Sequence, residues 1–144
     1  RDNAGGWHAE GPRDGHLNWS PDGRWATSLK RPTTDAGTDT VWIFGADSGG
    51  GRVLYAQESP ADPLAEEPAW SPDSRYLYFK SHDAEGHAAF WSLAIDGGPP
   101  RLVARLDDLS HPSYRLEFAV GGGRIFFAVN DRQSDISVVE LIEH

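Results

Sequence analysis

The pentapeptide Trp19-Ser20-Pro21-Asp22-Gly23 returns as Trp70-Ser71-Pro72-Asp73-Ser74, fifty-one residues later. Self-similarity at such a period marks a chain built from copies of one supersecondary unit, and it limits the fold more than any local propensity does. The likeness continues past the pentapeptides. Arg24-Trp25-Ala26-Thr27-Ser28 follows the first, and Arg75-Tyr76-Leu77-Tyr78-Phe79 follows the second. A weaker third copy is Phe118-Ala119-Val120-Gly121-Gly122-Gly123-Arg124-Ile125-Phe126-Phe127, which exchanges Pro-Asp for glycines. The arginines Arg24, Arg75 and Arg124 are spaced by 51 and 49 residues.

Each copy carries a second apolar run after a polar loop: Val41-Trp42-Ile43-Phe44, Phe90-Trp91-Ser92-Leu93 and Ile136-Ser137-Val138-Val139. Two of these pass through matched turns, at Asp47-Ser48-Gly49 and Asp96-Gly97-Gly98, into Arg52-Val53-Leu54-Tyr55 and Arg101-Leu102-Val103-Ala104. Short runs rich in β-branched and aromatic residues, bounded by turn residues, read as strands. In Ser-Pro-Asp-Gly the proline presets φ, the aspartate side chain can accept from backbone amides, and glycine tolerates a positive φ. A full unit is therefore four short antiparallel strands, and helices should be few.

One four-stranded sheet cannot cover both of its faces. Stacking copies face to face around an axis covers them, which is the β-propeller solution. The expected fold is all-β, a propeller of four-stranded antiparallel blades with about three blades in the chain. The expected division is an N-terminal segment at 1–15 that can supply a closing strand, blades at 16–59 and 60–109, and an incomplete blade at 110–144. Three blades are few for a ring. The chain thus reads as a fragment of a longer propeller, or as a half-propeller that pairs with a second copy into a six-bladed ring. A start at Arg1 and the absence of methionine fit an excised or processed piece.

Trp-Ser-Pro-Asp-Gly-Arg followed by an apolar strand resembles the TolB-like, WD40-like PD40 propeller repeat, and the resemblance covers residues 16–144. Ser110-His-Pro-Ser-Tyr-Arg-Leu-Glu-Phe118 and Asn130-Asp-Arg-Gln-Ser-Asp-Ile-Ser-Val-Val-Glu-Leu141 are similar to the last blade of propellers that end certain bacterial proteins. Among those are receptor-type serine/threonine kinases with a sensor region beyond a membrane span. The resemblance implies a non-enzymatic binding or sensing module in a periplasmic or other extracytoplasmic setting. Prolyl-oligopeptidase-like peptidases carry similar propellers, so the gating part of such an enzyme is the alternative.

The rest of the sequence narrows the chemistry. The formal charge is −9, with 22 acidic and 13 basic residues, which disfavours a nucleic-acid partner. No run approaches the roughly 20 apolar residues of a membrane span. With no cysteine, disulfides and thiolate chemistry are excluded. Gly-x-Ser-x-Gly, P-loop and His-Glu-x-x-His patterns are absent. No catalytic residue, metal site or cofactor is expected. His82 and His87 are placed in one solvated hairpin loop, and Asp35 and Asp39 at another hairpin tip. Trp19, Trp70, Trp42 and Trp91 occupy repeated positions and are expected in the core between blades. A protein partner or small ligand is expected at the rim, on the loops that lead into each first strand. The candidate residues there are His16, Glu66, Glu67, Tyr114 and Arg115.

Overall fold

The computed structural model describes residues 17–30, 38–47, 50–59, 62–63, 66–108, 110–130 and 136–140. Eleven strands and no helix lie among them. The first sheet runs β1 (Asn18–Trp19), β2 (Trp25–Lys30), β3 (Thr40–Gly45) and β4 (Gly51–Ala56). The second runs β5 (Glu66–Trp70), β6 (Tyr76–His82), β7 (Ala88–Ala94) and β8 (Arg101–Leu106). The third holds β9 (Phe118–Gly121), β10 (Arg124–Ala128) and β11 (Ile136–Glu140), with β10 in the middle. Every paired neighbour is antiparallel and consecutive in sequence. Even the irregularities repeat, since the β3–β4 register slips between Val41 and Trp42 and the β7–β8 register between Phe90 and Trp91.

The repeated pentapeptide makes the same turn twice. The Ser20 amide donates to the Trp25 carbonyl at 2.9 Å, and the Ser71 amide donates to the Tyr76 carbonyl at 2.9 Å. Each serine hydroxyl donates to the aspartate two residues on, at 2.7 Å in the first turn and 2.6 Å in the second. The same hydroxyls accept from the amides of Trp25 and Tyr76. Both turns end on a left-handed residue, Gly23 at φ +71 and Ser74 at φ +61. This is the position at which glycine is the residue without steric cost.

The second sheet is covered on both faces. Alternation along a strand sends Leu77 and Phe79 one way and Tyr78 and Lys80 the other. Leu77, Phe79, Leu93 and Trp70 meet Val41, Ile43 and Leu54 of the first sheet. On the opposite face Phe90 meets Ile125 and Phe127 of the third sheet. Its ring lies 4.9 Å from Phe127 and 5.4 Å from Phe118, the latter edge to face. Fully burying an aromatic of this size contributes roughly 1.5–3 kcal/mol. A sheet buried on both faces needs long apolar runs, and β7 has one along nearly its whole length, as β6 does from Tyr76 to Phe79. Among the described residues no helix is long and apolar enough to cross a membrane.

The expectation that all four repeated tryptophans are core needs correction. Trp70 is 7% exposed, but Trp19 is 50% exposed. Trp70 reaches back onto the preceding sheet, where its indole N–H donates to the Asn18 carbonyl at 3.0 Å. Trp19 belongs to the first sheet of the stack, and no sheet precedes it among the described residues. Trp42 and Trp91 are partly buried, Trp42 stacked on Phe44 and Trp91 donating from its indole to Ser81 at 2.9 Å.

Candidate binding site at the hub

The first strands of the three sheets come together. Strands β1 and β5 are locked side by side, for Asn18 Nδ2 donates to the Pro68 carbonyl at 2.7 Å while its own carbonyl accepts from Trp70. Along this line lies a cavity of about 400 Å³, within the range of small-ligand sites. Strand β1 and its turn supply Asn18, Trp19 and Pro21, and β5 supplies Glu67 through Trp70. The third sheet contributes Glu117 and Phe118.

Two local devices shape this cavity. The first is in β5, where the pairing with β6 shifts between Glu66 and Ala69 and Glu67 takes φ +44. A non-glycine residue held there stores of order 1–3 kcal/mol of backbone strain, and such strain gathers at functional sites.

The second device holds the segment leading into β9. Lys80, fully buried at 0% exposure, crosses from the second sheet and donates from Nζ to three oxygens. These are the Ser113 carbonyl at 2.7 Å, the Ser113 hydroxyl at 2.6 Å and the Arg115 carbonyl at 2.6 Å. His82 Nε2 lies 2.8 Å from the same Ser113 carbonyl. The Ser113 hydroxyl donates onward to the Ala128 carbonyl, and the Asn130 amide donates to the Pro112 carbonyl at 2.7 Å. Burial pushes the Lys80 ammonium down to about 8, while the charge of Glu117 acts the other way. The Lys80 nitrogen also sits 5.6 Å from the centre of the Phe90 ring.

Set against the sequence expectations, the structure groups some candidates and separates others. Glu67 lines the cavity together with Glu117, which immediately precedes β9 and is not among the sequence candidates. Tyr114 and Arg115 are exposed, but neither lines the cavity, and Arg115 contributes its carbonyl to Lys80. Glu66 opens β5 in the backbone. His16, like Asp35, lies outside the described residues. Lys80 was missed, although a lysine inside the run Tyr76-Leu-Tyr-Phe-Lys80 was the available signal. Trp19, expected in the core, is instead one of the aromatic residues that line the cavity.

Two other polar clusters lie at loop tips. Asp83, Glu85 and His87, on the hairpin between β6 and β7, bring their ligand atoms within 4.8 Å of one another. Asp83 already binds His87 Nδ1 at 3.0 Å and the guanidinium of Arg105 on β8 at 2.8 Å, so its charge is met by a neighbouring strand. In contrast to the expected shared loop, His82 ends β6 and bonds the segment before β9. The second cluster joins Ser110, His111 and Asp108. A catalytic relay needs the serine and the carboxylate on opposite ring nitrogens. Here both meet Nδ1 of His111, at 2.9 and 2.8 Å, which describes a capped turn. The Ser110 hydroxyl, and after it His111, holds the Asp108 carboxyl down to about 2.

No family model matches the chain. It is 31% identical over 67 residues to the Tol-Pal system protein TolB 1 of Novosphingobium aromaticivorans, covering 46% of this chain and 14% of that protein. It is 33% identical over 89 residues to an uncharacterized peptidase, YuxL, of Bacillus subtilis, covering 59% of this chain and 13% of that one. The crystal structure of TolB from Acinetobacter baumannii superposes with a TM-score of 0.60 over 88% of this chain and 29% of that one, at 13% identity. The fold is therefore a TolB-like β-propeller, represented by three stacked sheets. The chain spans less than a third of the length of each of these proteins.

Proposed function

We propose that the chain is part of a non-enzymatic propeller that binds a protein partner or a small ligand where the first strands converge. The convergence of β1, β5 and β9 on one cavity carries this reading. Three sheets that bury each other's faces make a rigid frame. Strand β5 presents Glu67 on it, and the segment before β9 presents Tyr114 and Arg115. Binding residues placed on loops over a rigid scaffold are the common arrangement. The PD40-type repeat and the likeness to TolB support an extracytoplasmic setting, with sensing as one use of the site. Replacing Tyr114 by a photo-crosslinking amino acid in the parent protein, in its own cells, tests the reading. A partner should be trapped from position 114 and not from position 53, at the opposite end of a sheet. Equal trapping from both positions, or trapping from neither, counts against it.

The peptidase alternative draws on the likeness to YuxL. In that case this propeller gates a hydrolase domain elsewhere in the same polypeptide. The parent reading frame separates the two. A neighbouring domain with Gly-x-Ser-x-Gly supports the peptidase, whereas a kinase domain and a membrane span support the sensor.

Self-association is a further part of the proposal. The outer face of the third sheet exposes Phe126 at 38% and Val138 at 49%, directly paired across β10 and β11. Ala119 extends the same row on β9. A second copy seated there would continue the stack toward a six-bladed ring. Light scattering on the isolated chain decides it. A dimer that Phe126→Glu converts to monomer supports the ring, and a strictly monomeric native chain refutes it.

A further inference from the structure

We infer that the hub cavity takes a cationic group, specifically an arginine side chain presented by a peptide segment. The inference rests on the binding-module reading and names the chemistry of its ligand. Apolar side chains, among them Trp19, Pro21, Pro68 and Phe118, wall the cavity, and its charged lining residues are Glu67 and Glu117. Among the described residues no arginine or lysine lines it. The nearby Lys80 ammonium spends its hydrogen bonds on the Ser113 and Arg115 oxygens, so it acts on Glu117 only through its charge and holds neither carboxylate directly.

The contrast between the two repeated tryptophans adds to this. Trp70 is fixed by its bond to Asn18 and buried, whereas Trp19 leaves half of its surface to solvent at the cavity wall. An exposed indole attracts a cation through its π face, and a guanidinium can stack on it flat. The same planar group donates to a carboxylate in paired, charge-assisted hydrogen bonds. An indole face and two carboxylates in one groove therefore complement arginine in shape and in charge. The chain's formal charge of −9 favours approach of such a segment and disfavours an acidic one.

The test uses the 144-residue chain labelled with ¹⁵N and the peptide acetyl-Gly-Arg-Gly-Arg-Gly-amide as probe. The citrulline counterpart, equal in shape but uncharged, and a glutamate counterpart are the comparators. The expected result is a saturable shift of the Trp19 indole resonance with the arginine peptide alone, weakening as salt is raised. Glu67→Gln and Glu117→Gln should each weaken binding about five-fold, the double variant should abolish it, and Asp83→Asn should leave it unchanged. Glu67→Asp, which keeps the charge, should retain more affinity than Glu67→Gln. A silent Trp19 resonance, equal shifts with citrulline, or full affinity in the double variant overturns the inference. If the arginine peptide fails while a partner is still trapped from position 114, the binding-module reading stands and the cationic class falls.

Discussion

Trp19 and Trp70 begin the same turn, close it with the same hydrogen bonds, and finish in opposite environments. The turns match because the hydrogen bonds that close each of them lie within six residues. Serine, proline and aspartate fix the bend, and the hydroxyl of the serine takes the amide that starts the next strand. Burial does not match because it depends on the sheet that lies upstream. Trp70 has β1 to lean on and donates to its Asn18 carbonyl, and Trp19 has no equivalent strand among the described residues. In a stacked repeat, then, the local sequence sets the unit, and position in the stack sets what each unit buries.

Mutation of the two tryptophans should break the symmetry most. Trp70→Ala removes a buried indole from the shared core and is expected to cost about 3–5 kcal/mol, read from the urea midpoint. Trp19→Ala should cost no more than about 0.5 kcal/mol, as an exposed substitution does. Equal losses would mean that Trp19 is packed in solution, and that the hub cavity is closed. The serines should behave in the opposite manner. Ser20→Ala and Ser71→Ala each remove a buried hydroxyl that accepts from the amide opening the next strand, so each should cost about 1–2 kcal/mol, and by similar amounts. A loss confined to one copy would show that the two turns are not equivalent.

This division also marks what the sequence discloses. The sheets were legible because turn chemistry and apolar runs are local, and because each was written more than once. Ser-Pro-Asp placed the β1–β2 and β5–β6 hairpins, and the triple glycine placed β9–β10. The exposure of Trp19 was not legible, since it depends on a neighbour and not on the residues around it. Nor was the grouping of Glu67 with Glu117, fifty residues apart, which arises only when β5 and β9 converge. Lys80 was hidden differently. Its run reads as an ordinary strand, and only the Ser113 and Arg115 oxygens explain how an ammonium can be buried there without a carboxylate in direct contact.

The aspartates offer a finer probe through pH. The Ser20 hydroxyl, followed by the amide and guanidinium of Arg24, holds the Asp22 carboxyl below its ordinary value of 3.8. Asp73 is lowered in the same direction, first by the Ser71 hydroxyl. In both cases the folded pKa is the lower one, so the unfolded chain takes up protons first as the solution is acidified. The contribution of each turn is complete above the ordinary value, and it is lost as pH falls below 3.8 toward the folded value. Asp22→Asn and Asp73→Asn should each flatten the acid limb of a stability-against-pH curve, Asp22→Asn by more. An unchanged acid limb in both variants would show that these turns do not hold their protons differently from the unfolded chain.

The smallest expected effect lies where the two pentapeptides differ. Gly23 adopts its left-handed conformation freely, whereas Ser74 adopts φ +61 at a steric cost of roughly 1–2 kcal/mol. In return, the Ser74 hydroxyl accepts from the Asp22 amide at 3.1 Å and ties the second turn to the first. A net hydrogen bond contributes about 0.5–1.5 kcal/mol, so strain and bond nearly cancel. Ser74→Gly loses both and should change stability by less than about 0.5 kcal/mol. Ser74→Ala keeps the strain and loses only the bond, so it should be the more harmful by about 1 kcal/mol. The order of the two urea midpoints settles the account. If alanine were tolerated as well as glycine, the bond between the turns would carry no stability. The serine would then be a strained residue without a counterpart, and the second copy simply the poorer version of the first.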